Sequence, residues 1–268
     1  MRKLRSHEQK RILLLGEKLR ENPNTILLSI PVFMFGVIFY SLSGNKEGIA
    51  GSLGHCGIAF KNYHKHFWQK DFLLKIGFWL FNKSADYATG EGKVSTVLHA
   101  GQISLSLDNL NLARKKYEEA LMVCKNQKVD TGIDGYIFVH LAVLDLKEKK
   151  LDKVKLNLDK ALKILNIRLE ENPKSLYLHI WMSLLELTMG EYYLTVGDKM
   201  LARAWAEKAQ NRTEKYDLKV RKLDVKRLLS RIGRLGPFYL LLLAAMEIWG
   251  KNRLLIFAGI LLTAFCKN

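Results

Sequence analysis

One spacing of compact side chains occurs three times in this chain and limits what it can fold into: Ala113, Tyr117, Ala120; Val154, Leu158, Ala161; and Ala202, Ala206, Ala209. Positions four and then three apart share one face of an α-helix. Small or flat groups on that face let a second helix approach closely, which is what stacked helical hairpins need. Only four prolines interrupt 268 residues, and no Ser-, Gln- or Pro-rich tract marks a disordered segment. The chain is therefore expected to be all-α.

With Ala113, Val154 and Ala202 as equivalent anchors, the steps are 41 and 48 residues, within the range of solenoid units with long helices or loops. Each anchor follows, at a constant distance, a paired position: Ala100-Gly101, Leu141-Ala142 and Met189-Gly190. Met189, Gly190, Tyr193, Gly197, Asp198, Ala202, Ala206 and Ala209 make the third copy the best formed. The second is degenerate, with Val154 for alanine and Lys149 where a turn glycine is usual. On these residues the segment resembles the tetratricopeptide repeat (TPR) family.

The resemblance implies a short TPR-like α-solenoid of three hairpins over residues 93–212. In that family the first helix of each hairpin lines an inner groove, here Leu98, His99, Gln102 and Leu105; Tyr136, Val139, His140, Val143 and Leu146; and Leu187, Glu191 and Leu194. These positions are largely apolar and lack the Lys, Arg and Asn with which some members grip a terminal carboxylate. The expected occupant is an amphipathic or apolar helix, from a partner protein or from the chain's own residues 237–266. The alternative is that these side chains are simply buried between hairpins.

The two ends read differently. Residues 1–24 form a basic amphipathic head with Arg2, Lys3, Arg5, Lys10, Arg11, Lys18 and Arg20. Residues 25–45 carry no charge, and a helix of about 20 residues rises roughly 30 Å, so an N-terminal transmembrane helix is expected there, kinked at Pro31. A cleaved signal peptide and a buried helix of a soluble protein are the competing readings. Residues 46–92 are expected to hold a connector containing Gly48, Gly51, Gly54 and Gly57, then an aromatic helix with Phe67, Trp68, Phe72, Phe78, Trp79 and Phe81. That helix caps the first repeat or lies at a membrane interface. A second basic amphipathic helix, residues 213–235, presents Lys219, Arg221, Lys222, Lys226, Arg227, Arg231 and Arg234 toward anionic lipid. Residues 236–268 are apolar apart from Glu247 and the break at Lys251–Arg253, and read as an apolar C-terminal helical hairpin or one long tilted helix. Basic groups border both apolar ends, so the tendency of Lys and Arg to stay on the cytoplasmic side gives conflicting directions. A single crossing with the repeats on the far side is expected, a re-entrant dip being the alternative.

A net charge of +17, from 43 Lys and Arg against 26 Asp and Glu, favours acidic partners. Nucleic acid is disfavoured among them, because no helix-turn-helix, RNA-recognition or zinc-finger pattern is present. Three widely spaced cysteines make no disulfide framework. His55, Cys56, His64 and His66 lie close together, but no nearby carboxylate completes a ligand set, so neither metal nor other cofactor is expected. No GxSxG, phosphate loop, HExxH or dinucleotide fingerprint occurs, so an enzyme is not expected. The expected function is that of a membrane-anchored TPR-type scaffold or adaptor binding a partner protein, as an assembly factor or subunit of a membrane complex. The alternative is an anionic-lipid-surface protein whose repeats are only structural.

Overall fold

The computed structural model describes residues 14–17, 19, 25–66 and 70–233, and for residues 65, 66, 219 and 220 the backbone alone. Most of the basic head at 1–24, Phe67, Trp68, Arg234 and the apolar segment 236–268 lie outside the described residues. Ten helices follow in order: α1 Ile26–Leu42, α2 Lys46–His66, α3 Asp71–Tyr87, α4 Gly90–Ser106, α5 Leu110–Asn126, α6 Ile133–Lys147, α7 Leu151–Glu171, α8 Leu176–Thr195, α9 Lys199–Lys215 and α10 Lys219–Gly233. A further helical stretch at 14–17 precedes them.

Each helix packs antiparallel on the next, with the pairs α2/α3, α4/α5, α6/α7, α1/α2 and α8/α9 most intimate. Even-numbered helices also touch one another in succession, α2 to α4 to α6 to α8 to α10, whereas odd-numbered helices make no comparable contacts among the described residues. A row of helices packed closer on one side than on the other must curve toward the tighter side, so the even-numbered helices line the concave face. The result is an all-α, TPR-like helical repeat.

The three expected hairpins are all present, and every member of their triples is buried: Ala113, Tyr117, Ala120, Val154, Leu158, Ala161, Ala202, Ala206 and Ala209. The reason for the small residue on the facing helix is steric. A Cβ at Gly101 would stand 2.5 Å from the Tyr117 ring, closer than packed atoms can come. At the last hairpin, where Ala206 replaces the aromatic, Leu228 of α10 fills the space, 2.7 Å from where a Cβ on Gly190 would be. The turns repeat too: Asp108, Lys149 and Gly197 all take the left-handed conformation, with φ of 59°, 59° and 89°. Lys149 holds the turn-glycine conformation despite its side chain. The carboxamide of Asn109 and the carboxylate of Asp198 then accept the backbone N–H of Leu112 (3.0 Å) and Leu201 (2.9 Å), capping the helices that follow.

The array begins earlier than expected. In α3 the same spacing places Gly77, Phe81 and Ser84, all buried, against α2, and a Cβ on Gly57 would lie 2.9 Å from the Phe81 ring. In α1 it places Ser29, Phe33 and Gly36, again buried, and a Cβ on Gly16 would clash with the Phe33 ring. Residues 46–66 are therefore not a connector but α2, a full member of the concave row, held to α3 by the Ser84 hydroxyl, which donates to the Ala50 carbonyl (2.7 Å). Residues 25–45 hold α1, which packs on α2 and does not stand alone. At 17 residues α1 is about 25 Å long, and it turns at Ser43–Asn45 straight into α2, which lies alongside it. Among the described residues no helix is long and apolar enough to cross a membrane.

Charged side chains tie the turns between units. The buried Asp145 carboxylate of α6 accepts from Arg114 of α5 (2.6 Å) and from Asn157 of α7 (2.8 Å), and Arg114 also reaches Glu148 (2.5 Å). Within the last hairpin Arg212 of α9 grips Glu186 of α8 through two hydrogen bonds (2.8 and 2.9 Å).

The tight contact at Gly101 and the Tyr117 hydroxyl, buried without a hydrogen-bond partner among the described residues, set opposite expectations. Gly101→Val lowers the unfolding free energy by about 1–3 kcal/mol through overpacking. Tyr117→Phe leaves it unchanged or raises it by about 1 kcal/mol, because a desolvated, unpaired hydroxyl is removed. Urea unfolding of the two variants checks both signs.

Candidate functional site

The concave face is where a repeat array of this kind offers a continuous surface, and its two halves differ. From the C-terminal part of α2 through to α10 its side chains engage one another. Lys61 Nζ of α2 donates to Gln102 Oε1 of α4 (2.7 Å), and His99 Nδ1 lies 3.0 Å from the same oxygen. Gln102 Nε2 in turn lies 2.9 Å from His140 Nε2 of α6 and donates to it, so His140 is an acceptor there and neutral. Burial holds His140 well below its ordinary pKa of 6.5, helped by the positive charges of Arg221 and Lys61 and by His99. Rings continue the line: Phe81 faces His99 (5.1 Å between centroids), Tyr117 and Tyr136 flank His140 (5.7 and 4.6 Å), and Tyr136 stacks on Trp181 of α8 (5.3 Å). At the far end Arg231 of α10 pairs with both oxygens of Glu191 (2.5 and 2.7 Å).

The expected groove residues thus divide into groups. Leu98, Val139 and Leu187 are buried between helices, and Leu105, Tyr136 and Leu146 pack against the main core. Leu194 packs on the smaller core that α10 closes, and Val143 is half-buried. His99, Gln102 and His140 join one hydrogen-bonded chain, and Glu191 is taken by Arg231. In this half Leu98, Val139 and Leu187 lie between helices and offer no groove surface. The polar members serve as struts between successive units.

Helix α10 is likewise a capping helix. Val225, Leu228 and Ile232, its apolar stripe, are buried against Ala202, Ala206 and Ala209, so that stripe is turned to the array and not to an outside surface. Of the residues expected to meet lipid, Arg221 and Arg227 approach Asp224 (3.6 and 3.7 Å), Lys222 pairs with Asp217 (2.7 Å), Arg231 holds Glu191 and Lys226 is exposed. The side chain of Lys219 and all of Arg234 lie outside the described residues.

Toward the N-terminus the concave face opens. Between α2 and α4 lies a cavity of about 380 Å³ lined by Gly51, Gly54, Gly92 and Ser95, with Phe81 at its floor and His55, His99 and Glu47 around it. It exists because both walls are built from residues with little or no side chain. A Cβ on Gly92 would meet only the Ala88 methyl, at 4.0 Å, so the space beyond it is empty. A volume of that order fits one or two large side chains of a ligand. The sequence analysis placed no groove residue on α2, yet the signal was present: Gly48, Gly51, Gly54 and Gly57 recur every third residue, a spacing that keeps neighbouring glycines on adjoining parts of a helix surface.

The histidine and cysteine cluster does not converge. The His55 ring stacks on Phe33 (5.1 Å) and approaches Glu17 (3.2 Å), while Cys56 Sγ faces the Ile30 carbonyl of α1 (3.8 Å), its thiol pushed up to about 12 by burial. Among the described residues no group of three metal-ligating side chains is assembled.

No protein-family model and no curated protein matches this sequence. Solved structures give distant likenesses. BtubC (BKLC) from P. vanneervenii aligns over 86% of this chain and 92% of its own, with a TM-score of 0.48 and 12% identity. The APC/C hetero-tetramer Cut9–Hcn1 aligns over 85% of this chain and 43% of its own, with a TM-score of 0.42 and 12% identity.

The strut at His140 sets a pH dependence. Above about 6.5, its ordinary value, His140 is neutral in both folded and unfolded chains and the stabilisation is complete; as pH falls through that value the unfolded chain takes up a proton that the folded chain refuses. His179, lowered chiefly by burial, acts with the same sign. Unfolding temperature is therefore expected to fall between pH 7.5 and 5.5, and His140→Gln, which keeps an acceptor for Gln102, flattens that slope. Thermal melts of both proteins across this interval check it.

Proposed function

We propose that this chain is a helical-repeat scaffold that binds a partner protein through the N-terminal half of its concave face and works at a membrane surface. The observation that carries the first part is the contrast between the two halves of that face. From Lys61 of α2 and Gln102 of α4 onward the inner side chains satisfy one another, whereas between the N-terminal parts of α2 and α4 glycines and Ser95 leave a cavity open to the groove. An amphipathic helix laid in the groove would seat one large apolar side chain there, on Phe81, with Glu47 at the rim for a cationic neighbour. The mechanism is geometric: the array holds its client in a fixed orientation, and attachment to a membrane raises the client's local concentration there.

The charge of +17 and the apolar ends support work at a membrane, as an adaptor or assembly factor within a membrane complex. The alternative, a lipid-surface protein whose repeats merely brace its basic helices, is less well supported, because the apolar stripe of α10 is occupied by α8 and α9.

The test uses a displayed library of helical peptides selected on the purified protein. Selected peptides are expected to lose about tenfold or more in affinity on Gly92→Phe, which fills the cavity at an exposed position, and to keep their affinity on Met122→Ala on the convex side. Selection of peptides indifferent to Gly92→Phe would contradict the proposed site.

A further inference from the structure

The outward faces of the odd-numbered helices can be compared position by position, because the buried triples fix their register. On α5 the residues aligned with the outward positions are Asn111, Leu112, Lys115, Glu118, Glu119 and Met122; on α7 they are Asp152, Lys153, Leu156, Asp159, Lys160 and Lys163. These are ordinary solvated surfaces, mostly charged. On α1 the same positions hold Leu27, Leu28, Pro31, Met34, Phe35 and Ile38, with no charge anywhere in the helix. They are exposed, Phe35 and Ile38 each at 58%. Helix α3 is intermediate: Phe72, Ile76 and Trp79 share its outward face with Lys75 and Lys83.

An apolar face of this size on one unit of a repeat, where the matching faces of α5 and α7 are charged and that of α9 carries Glu207 and Lys208, calls for an apolar environment. The charges around it choose which. Lys46 and Lys70 stand near the helix ends, and Lys75 and Lys83 alternate with Phe72, Ile76 and Trp79, Lys83 paired with Asp86 (3.4 Å). Apolar residues without charge, then aromatic residues interleaved with lysine, is the profile of a surface entering a bilayer from hydrocarbon to headgroup level.

We infer that the convex face of α1 and α3 seats in the headgroup and upper acyl region of an anionic bilayer, with α1 in the membrane plane and not across it. The contact rests on the reading of a scaffold working at a membrane and says how it attaches. Because α1 is fixed to α2 along the buried face of Ser29, Phe33 and Tyr40, its outer face enters the interface to a depth of about 5–10 Å while the concave groove stays in water.

The experiment places a nitroxide label at Phe35→Cys, and separately at Glu118→Cys on α5, in the full chain with Cys266→Ser; Cys56 and Cys124 are buried. Accessibility to oxygen and to a water-soluble nickel chelate is measured with and without phosphatidylcholine vesicles containing phosphatidylserine. Vesicles are expected to make position 35 oxygen-accessible and chelate-protected, and to leave position 118 accessible to the chelate. The charged pair Leu28→Glu and Phe35→Glu, whose positions already carry leucine and glutamate on α5, keeps the fold by circular dichroism and weakens vesicle partition by about a hundredfold. Vesicle binding with label 35 still open to the chelate would overturn this contact while leaving the membrane reading intact, and no vesicle binding at all would overturn both. A label at 35 already shielded from chelate and oxygen without vesicles would also overturn it, because residues 236–268 or a second copy would then cover the face. Gly92→Phe is expected to change none of these readouts, which separates this contact from the client site.

Discussion

Everything in this fold depends on how closely one helix approaches the next at a small–large–small seam. Two helices packed through a glycine or alanine on one and a ring flanked by small residues on the other sit in register, because any other alignment puts Cβ atoms into the ring. Gly101 under Tyr117 and Gly57 under Phe81 are the clearest instances, and Gly16 under Phe33 repeats them. With the pairing fixed, the concave row, the turns and the position of every outward-facing residue follow. The buried ion pairs at Asp145 and Glu186 add directional links between neighbouring helices.

The seam was legible from residue 100 onward because most of its small members are alanines, at regular helical spacing between charged faces. It was missed before residue 90 for two physical reasons. The small members are Gly77 and Ser84 in α3 and Ser29 and Gly36 in α1, types that in a sequence suggest a loop, and the step from Gly57 to Gly77 is longer than that from Gly101 to Ala113. The charge-free run at 25–45 also imitates a spanning helix. Hydropathy cannot separate a helix apolar because one face is in a core from one apolar all round because it lies in lipid. Here α1 is apolar on both sides, with Phe33 and Tyr40 in the core and Phe35 and Ile38 exposed outside it.

The candidate site shows the same division. Residues carried over from the repeat resemblance lie on or beneath the concave face, but from α4 to α10 they lock that face by contact with one another. No pattern in the sequence announces that Gln102 bridges His99 and His140, or that Arg231 reaches back to Glu191 across forty positions. The open stretch lies where side chains are absent, and a run of glycines at a three-residue interval was its trace.

The most direct test of the central claim, that the seam extends unbroken into α1, is amide hydrogen exchange on the full chain in the absence of lipid. If α1 is the second helix of a packed hairpin, its amides exchange about as slowly as those of α3, and Phe33→Ala accelerates both α1 and α2 while α6 to α9 stay protected. If α1 exchanges like an unstructured segment until vesicles are added, while α4 to α10 are protected, the apolar run is a membrane element independent of the array and the account fails.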